Sequence, residues 1–179
     1  MKLKTSIILC SLAATTTMPA FSDTVWNLYA GAAIGAGAQT IFADGEKHTD
    51  TAQSFGVMFG LDIPVFRTEV EYSYLTQRET NAHTGFINAY FKMPSTVVKP
   101  YMGLGVGMMF GGRDDEINIR YDTTSAYQGM LGVTLETPAL PFDFDVEARV
   151  IYVPNIYNLN NTEPDILHYG VRVKARYMF

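Results

Sequence analysis

The sequence predicts an all-β protein, an eight-stranded antiparallel transmembrane β-barrel that follows a cleaved N-terminal signal peptide. Three observations predict this fold. Aromatic residues make up 13% of the chain, no apolar run is long enough for a spanning helix, and apolar and polar residues alternate along most of the sequence. The closing segment, Leu167–Phe179, shows the alternation most clearly, because one set of alternate residues is apolar or aromatic and the other carries Arg172, Lys174 and Arg176.

The N-terminus has the features of a secretory signal peptide. Lys2 and Lys4 form a basic start, residues 6–14 form a short apolar run, and small residues flank Phe21 at the two positions that a signal peptidase reads. The apolar run is too short for a transmembrane helix. We therefore predict a signal peptide at residues 1–22 and one barrel domain at residues 23–179.

Composition limits the stabilising forces and the partners of the mature domain. The single cysteine, Cys10, lies inside the predicted signal peptide, so the barrel has no disulfide and needs a large core or a membrane instead. The net charge of the chain is −5, and removal of the two lysines near the N-terminus makes it more negative. This charge argues against nucleic-acid binding by bulk electrostatics.

The first half of the chain contains four segments with a period of two, which we predict as strands. In the first, large apolar residues alternate with small ones such as Gly31 and Gly35, and in the second, Phe, Val and Leu alternate with Ser, Gly and Met. In the third, Thr, Val and aromatic residues alternate with Arg67, Glu69 and Glu71, and the fourth is less regular. These segments span Val25–Ala36, Gln53–Asp62, Phe66–Leu75 and Gly85–Met93.

The second half of the chain contains four more such segments. In the fifth, apolar residues alternate with Gly103, Gly105 and Gly107, whereas the sixth is less regular. In the seventh, apolar residues alternate with three acidic residues and Arg149, and the eighth is the cationic closing segment. These segments span Lys99–Phe110, Ala126–Glu136, Phe142–Val153 and Leu167–Phe179.

The connections between the predicted strands alternate in length, as they do in bacterial outer-membrane barrels. Three connections are short and contain proline: Asp62–Val65, Pro94–Val98 and Thr137–Pro141. Four are longer and polar and are predicted as extracellular loops: residues 39–52, 76–84, 111–125 and 154–166. The short turns then face the periplasm, and an even number of strands places both termini there as well.

The polar face of each strand is predicted to face the lumen. Aromatic residues near the strand ends suit a membrane interface, and the glycines of the polar face suit the narrow interior of an eight-stranded barrel. Antiparallel pairing places Asp145 and Glu147 near Arg172 and Lys174, with the glutamates of the third strand as partners across the lumen. The predicted charge network comprises Arg67, Glu69, Glu71, Asp143, Asp145, Glu147, Arg149, Arg172, Lys174 and Arg176.

The charges that we predict for the lumen are nearly balanced. With Lys92, Asp62 and Glu136 added to the network, six cations face seven anions. Buried charges need partners, so this balance favours an ion-pair plug over a gated pore.

Four stretches of the chain carry a family resemblance. They are "FRTEVEYSYL" (Phe66–Leu75), "KPYMGLGVGMMFGG" (Lys99–Gly112), "FDVEARVIYV" (Phe144–Val153) and "YGVRVKARYMF" (Tyr169–Phe179). With them the chain resembles the opacity-protein and OmpA-like family of small outer-membrane β-barrels. The resemblance implies the outer membrane of a Gram-negative bacterium and a closing aromatic signal, Tyr177 and Phe179, that the barrel-assembly machinery reads. It leaves the activity open, because the family contains adhesins, surface antigens and structural barrels.

We predict a structural or surface-interaction role, adhesin-like or antigen-like, without a cofactor. The expected partners are membrane lipid, lipopolysaccharide and a host or surface ligand held by the four loops. The first alternative is a narrow ion-conducting pore. The second is a lipid A-modifying enzyme or a protease, which would use His83 or His168 with Asp115. No compact catalytic or metal motif supports the enzyme, and Met108 stands where a dinucleotide-binding loop requires glycine.

Overall fold

The computed structural model describes residues 26–43, 46–77, 80–94, 98–114, 119–120, 123–137, 140–154 and 165–179. The predicted signal peptide lies outside these ranges. The described residues form eight long strands: β1 (Asn27–Ala43), β2 (Glu46–Asp62), β3 (Phe66–Gln77), β4 (Thr80–Lys92), β5 (Val98–Asp114), β6 (Thr124–Leu135), β7 (Phe142–Val153) and β8 (Asp165–Met178).

The eight strands close into one antiparallel barrel, so the predicted fold class is confirmed. Each strand pairs with its neighbours in sequence, and β8 pairs with β1 along residues 165–178. A two-residue strand, Ile119–Arg120, extends the ladder at the end of β5. None of the described residues belongs to a helix that is long and apolar enough to cross a membrane.

The two ends of the barrel differ. The start of β1 at Asn27, the end of β8 at Met178 and the strand ends that flank residues 63–65, 93–97 and 136–141 lie at one end, which we call the terminal end. The other strand ends lie at the opposite end, the far end. This arrangement follows from an even number of antiparallel strands.

The strands extend further toward the far end than we predicted. β1 continues to Ala43 and β2 begins at Glu46, so most of the predicted loop 39–52 is a paired hairpin, and the predicted loops 76–84, 111–125 and 154–166 also contain strand residues. The strong apolar alternation ends near residues 36 and 53, and we had read its end as the end of the strand. The ladder continues there through β-branched residues such as Thr40 and Thr49, which pair directly and favour strands without an apolar face.

The barrel is apolar outside and polar inside. Burial alternates strictly along β7, where every second side chain from Asp143 to Val153 is buried. On the outside, Leu104 is 75% exposed and Ile87 is 65% exposed, whereas Lys174 and Arg176 inside are fully buried. A water-soluble barrel has the opposite distribution, because burial of apolar surface is its main source of stability.

Candidate functional site

The lumen of the barrel is filled largely by charged side chains from β3, β7 and β8. Consecutive side chains of a strand point to opposite faces, so one residue in two projects inward. The structure buries every side chain of the predicted charge network: Arg67, Glu69, Glu71, Asp143, Asp145, Glu147, Arg149, Arg172, Lys174 and Arg176.

The ladder between β7 and β8 brings opposite charges together. Asp145 lies opposite Lys174, and Glu147 lies opposite Arg172. Arg172 Nε is 2.5 Å from Glu147 Oε1, and Lys174 Nζ is 2.9 Å from Glu147 Oε2. The short-range proximity expected from antiparallel pairing is therefore present in the structure.

The carboxylates of β3 reach the cations of β8 and β7 across the lumen. Glu71 Oε1 is 3.0 Å from Arg149 Nη1 and forms a closer contact with Arg172 Nη1. Glu69 Oε1 is 3.3 Å from Lys174 Nζ. These contacts join strands that lie three or four positions apart around the eight-stranded wall, so each ion pair spans the lumen.

Three tyrosines, which the sequence prediction did not include in the network, complete it. The hydroxyls of Tyr29 and Tyr90 each donate to Glu69 at 2.8 Å, and the hydroxyl of Tyr101 donates to Glu147 at 2.9 Å. The Arg67 guanidinium lies 4.2 Å from the ring centre of Tyr90 and 4.6 Å from that of Tyr101. The positions of Tyr90 and Tyr101 on the polar face of their strands were a signal for this role, but the sequence analysis assigned them no partner.

Glycines in the wall make room for the tyrosines. A Cβ on Gly60 would lie 2.5 Å from the Tyr29 hydroxyl, and one on Gly132 would lie 2.6 Å from the ring of Tyr101. Both distances are far below van der Waals contact. Each of these large side chains therefore depends on the absence of a side chain on the strand beside it.

The charges of the described lumen balance. Lys92 pairs with Asp62, and Arg176 Nη1 is 3.0 Å from Asp62 Oδ2. Glu136, which we had counted as a seventh lumen anion, instead pairs with Lys99 at the terminal rim, where the two side chains are 32% and 21% exposed. The described lumen then holds six cations and six anions: Arg67, Lys92, Arg149, Arg172, Lys174, Arg176, Asp62, Glu69, Glu71, Asp143, Asp145 and Glu147.

The lumen toward the far end contains a different kind of packing. Eight buried residues, which we call the apolar cap, form a hydrophobic cluster between the ionic network and the far end: Leu75, Ala82, Phe86, Met109, Ala126, Ile151, Val153 and Ile166. Such a cluster has no groups that replace the hydration shell of an ion. The sequence prediction missed it because the inward face of β7 changes from charged residues to Ile151 and Val153 without any break in the period.

The histidines of the enzyme alternative do not converge. His83 is half-buried and bonded to an exposed tyrosine of the outward-facing set, whereas His168 is buried inside. Asp115, the expected partner of either histidine, lies outside the described residues. Among the side chains that the structure describes, no group of three or more His, Cys, Asp or Glu residues is arranged to hold a metal ion.

The residues of the predicted assembly signal lie on the outer face at the terminal end. The ring of Tyr177 packs edge-on against Phe142 at 5.1 Å and against Phe179 at 5.2 Å. The backbone N–H of Phe179 donates to the carbonyl of Leu28, which ties the end of the chain to β1.

No family model and no curated protein matches the chain. Among solved structures, Neisserial surface protein A (NspA) is similar, with a TM-score of 0.58 and 16% identity over 84% of this chain and 96% of that one. The N-terminal β-barrel domain of Pseudomonas aeruginosa OprF is also similar, with a TM-score of 0.48 and 11% identity over 81% of this chain and 97% of that one. So is Ail, the attachment invasion locus protein of Yersinia pestis, solved in complex with the heparin analogue sucrose octasulfate, with a TM-score of 0.49 and 11% identity over 84% of this chain and 99% of that one. The likeness to NspA shows a shared barrel fold, and membership of the opacity-protein family stays a prediction.

Proposed function

We propose that this chain is an integral outer-membrane protein of a Gram-negative bacterium, and that its barrel presents four connections at the cell surface in a structural or surface-interaction role. The observation that carries the proposal is the apolar outer face. Side chains such as Val70, Leu104 and Leu131 are 60% exposed or more. A continuous apolar belt of this kind is an aggregation surface in water and is stable in the hydrocarbon of a membrane.

The distribution of tyrosine supports a membrane boundary toward the far end, which we propose as the side outside the cell. Five of the six described outward-facing tyrosines lie toward the far end, and Tyr177 alone lies at the terminal end. Tyrosine favours the headgroup region, because its ring is apolar and its hydroxyl is polar. The five tyrosines are Tyr72, Tyr74, Tyr127, Tyr152 and Tyr169.

Two lipid partners follow from the proposed position in the outer membrane. The apolar belt contacts membrane lipid, and its far edge contacts lipopolysaccharide. The closing aromatic residues, Tyr177 and Phe179, are proposed as the signal for the barrel-assembly machinery, which is supported by their exposure on the terminal strand. We also propose that the four connections at the far end bind a host or surface ligand.

The packing of the lumen favours this role over an ion-conducting pore. Charges of opposite sign neutralise one another at contact distance, and the apolar cap lies above them. An ion would have to break buried ion pairs and then pass the buried apolar cap, and both steps cost free energy.

Protease accessibility in intact cells tests the proposed membrane insertion and orientation. A factor Xa site inserted in the connection 155–164 should be cut from outside the cell. The same site inserted at residues 138–139 serves as the matched control, and it should be cut only after the outer membrane is permeabilised. The reverse pattern would contradict the orientation, and cleavage of both sites in intact cells would contradict membrane insertion.

A further inference from the structure

Four rings form a cluster on the outer face of β3, β4 and β5, toward the far end. We call Tyr72, Tyr74, His83 and Phe110 the His83 cluster. The ring centre of His83 lies 5.1 Å from Tyr74, 5.9 Å from Tyr72 and 6.0 Å from Phe110. Three of the residues are directly paired across the strands, Tyr74 with His83 and His83 with Phe110.

The cluster combines ring faces with polar atoms. The Tyr72 hydroxyl and His83 Nδ1 share a hydrogen bond of 2.6 Å, which orients the imidazole. Among the residues that the structure describes, neither His83 Nε2 nor the Tyr74 hydroxyl has a hydrogen-bond partner. Tyr72 is 44% exposed and the other rings are half-buried, so these polar atoms can reach a ligand at the barrel surface.

The position of the cluster along the barrel matches the headgroup region. Phe91 marks the terminal edge of the apolar belt on β4, and His83 lies at the other edge of the same outward-facing row. Strand rise and a tilt of about 40° place these two residues roughly 21 Å apart along the barrel axis. The apolar band of such barrels is about 25 Å tall, so the His83 cluster reaches the far boundary of the hydrocarbon.

The cluster differs from the other aromatic residues at the far end. Tyr127 and Tyr152 are paired across β6 and β7, but among the described residues neither their rings nor that of Tyr169 form a stacked or edge-on contact like those of the His83 cluster. The other dense aromatic group, around Tyr177, lies at the terminal end and contains no histidine. Four adjacent rings with unsatisfied donors therefore occur at only one place along the described far edge of the belt.

We propose that the His83 cluster binds the phosphorylated sugar headgroup of the glycolipid in the outer leaflet. The proposal rests on the orientation given above, and the cluster is continuous with the lipid-facing belt. Aromatic faces pack against the C–H faces of a sugar ring, and the imidazole and phenol groups donate hydrogen bonds to sugar hydroxyl and phosphate oxygens. A phosphodiester lipid without a sugar offers the oxygens but nothing that stacks on the rings.

The test is NMR of the full barrel, labelled with ¹³C and ¹⁵N at histidine, in phosphatidylcholine nanodiscs with increasing fractions of purified lipid A. The His83 imidazole resonance, assigned by its loss in His83→Gln, should shift and saturate. Tyr74→Ala should weaken the apparent affinity about fivefold or more, as loss of a stacked ring predicts. The matched control, Tyr127→Ala, removes an exposed tyrosine outside the cluster and should leave the affinity unchanged.

Three results would overturn the proposal: no shift with lipid A, an equal shift with phosphatidylglycerol, or equal weakening by Tyr127→Ala. A heat-dependent gel shift in discs without lipid A shows separately that the barrel is folded. A barrel that does not fold in these discs contradicts the proposed membrane protein, and this site with it.

Discussion

Neutralising Glu71 tests how strongly the lumen is held together. Its carboxylate contacts Arg149 and Arg172 and accepts hydrogen bonds from Ser73 Oγ at 2.6 Å and Asn88 Nδ2 at 3.0 Å. The side chain is 1% exposed, so water cannot replace these partners. Glu71→Gln would leave six lumen cations with five anions.

The expected loss for Glu71→Gln is about 3–5 kcal/mol in the free energy of unfolding, the cost of leaving a buried charge unpaired. Removing Arg149 as well restores the balance, because its ion pair in the described lumen is with Glu71. The double variant Glu71→Gln/Arg149→Gln should therefore lose less than the sum of the single variants, by about 2 kcal/mol.

Equilibrium unfolding in urea, with the barrel in phosphatidylcholine vesicles, measures these values through the fluorescence of Trp26, the only tryptophan. Lys99→Gln is the matched control, since the Lys99–Glu136 pair lies at the partly exposed rim and should contribute less than about 1 kcal/mol. A loss for Glu71→Gln no larger than for Lys99→Gln, or additive single variants, would show that water screens the lumen and would refute the reasoning.

Three further predictions concern packing and assembly. Gly103→Val should lower the free energy of unfolding by about 1–3 kcal/mol, because the valine side chain would overlap the ring of Tyr90. Gly129→Ala is its control in the same urea titration and should have little effect, because a Cβ at Gly129, on the outer face, meets no atom within 4 Å. Phe86→Ala in the apolar cap should cost about 3–5 kcal/mol by leaving a cavity, and a loss below about 1 kcal/mol would contradict a packed cap. Deleting Phe179 should lower the amount of assembled protein in cells, seen as loss of the heat-dependent gel shift, while the purified variant still folds in vesicles. Normal assembly of the variant in cells would show that Phe179 is not an assembly signal.

Alternation was sufficient to predict the strands and their faces. β7 has the predicted bounds, Phe142–Val153, and its side chains alternate between exposed and buried from end to end. The strand ends beyond the belt could not be predicted in this way. At Thr40 and Thr49 the ladder continues after the strong apolar alternation has ended.

The contacts across the lumen were only partly predictable. The pairing of Glu147 with Arg172 follows from adjacent antiparallel strands, and Glu69 and Glu71 were expected as distant partners. The 3.0 Å contact between Arg67 and Asp145 depends on the barrel diameter and on how the strands are staggered, neither of which a single sequence shows. The apolar cap was missed for a related reason, since Phe86 and Ile151 form a cluster only after the wall closes.

Single-channel recording in a planar bilayer tests most directly whether the lumen is closed. The paired charges and the apolar cap predict no steady current from a protein that a heat-dependent gel shift shows to be folded. Steady current steps, with an ion selectivity that changes in Arg172→Gln, would contradict a closed lumen and would make this chain a pore.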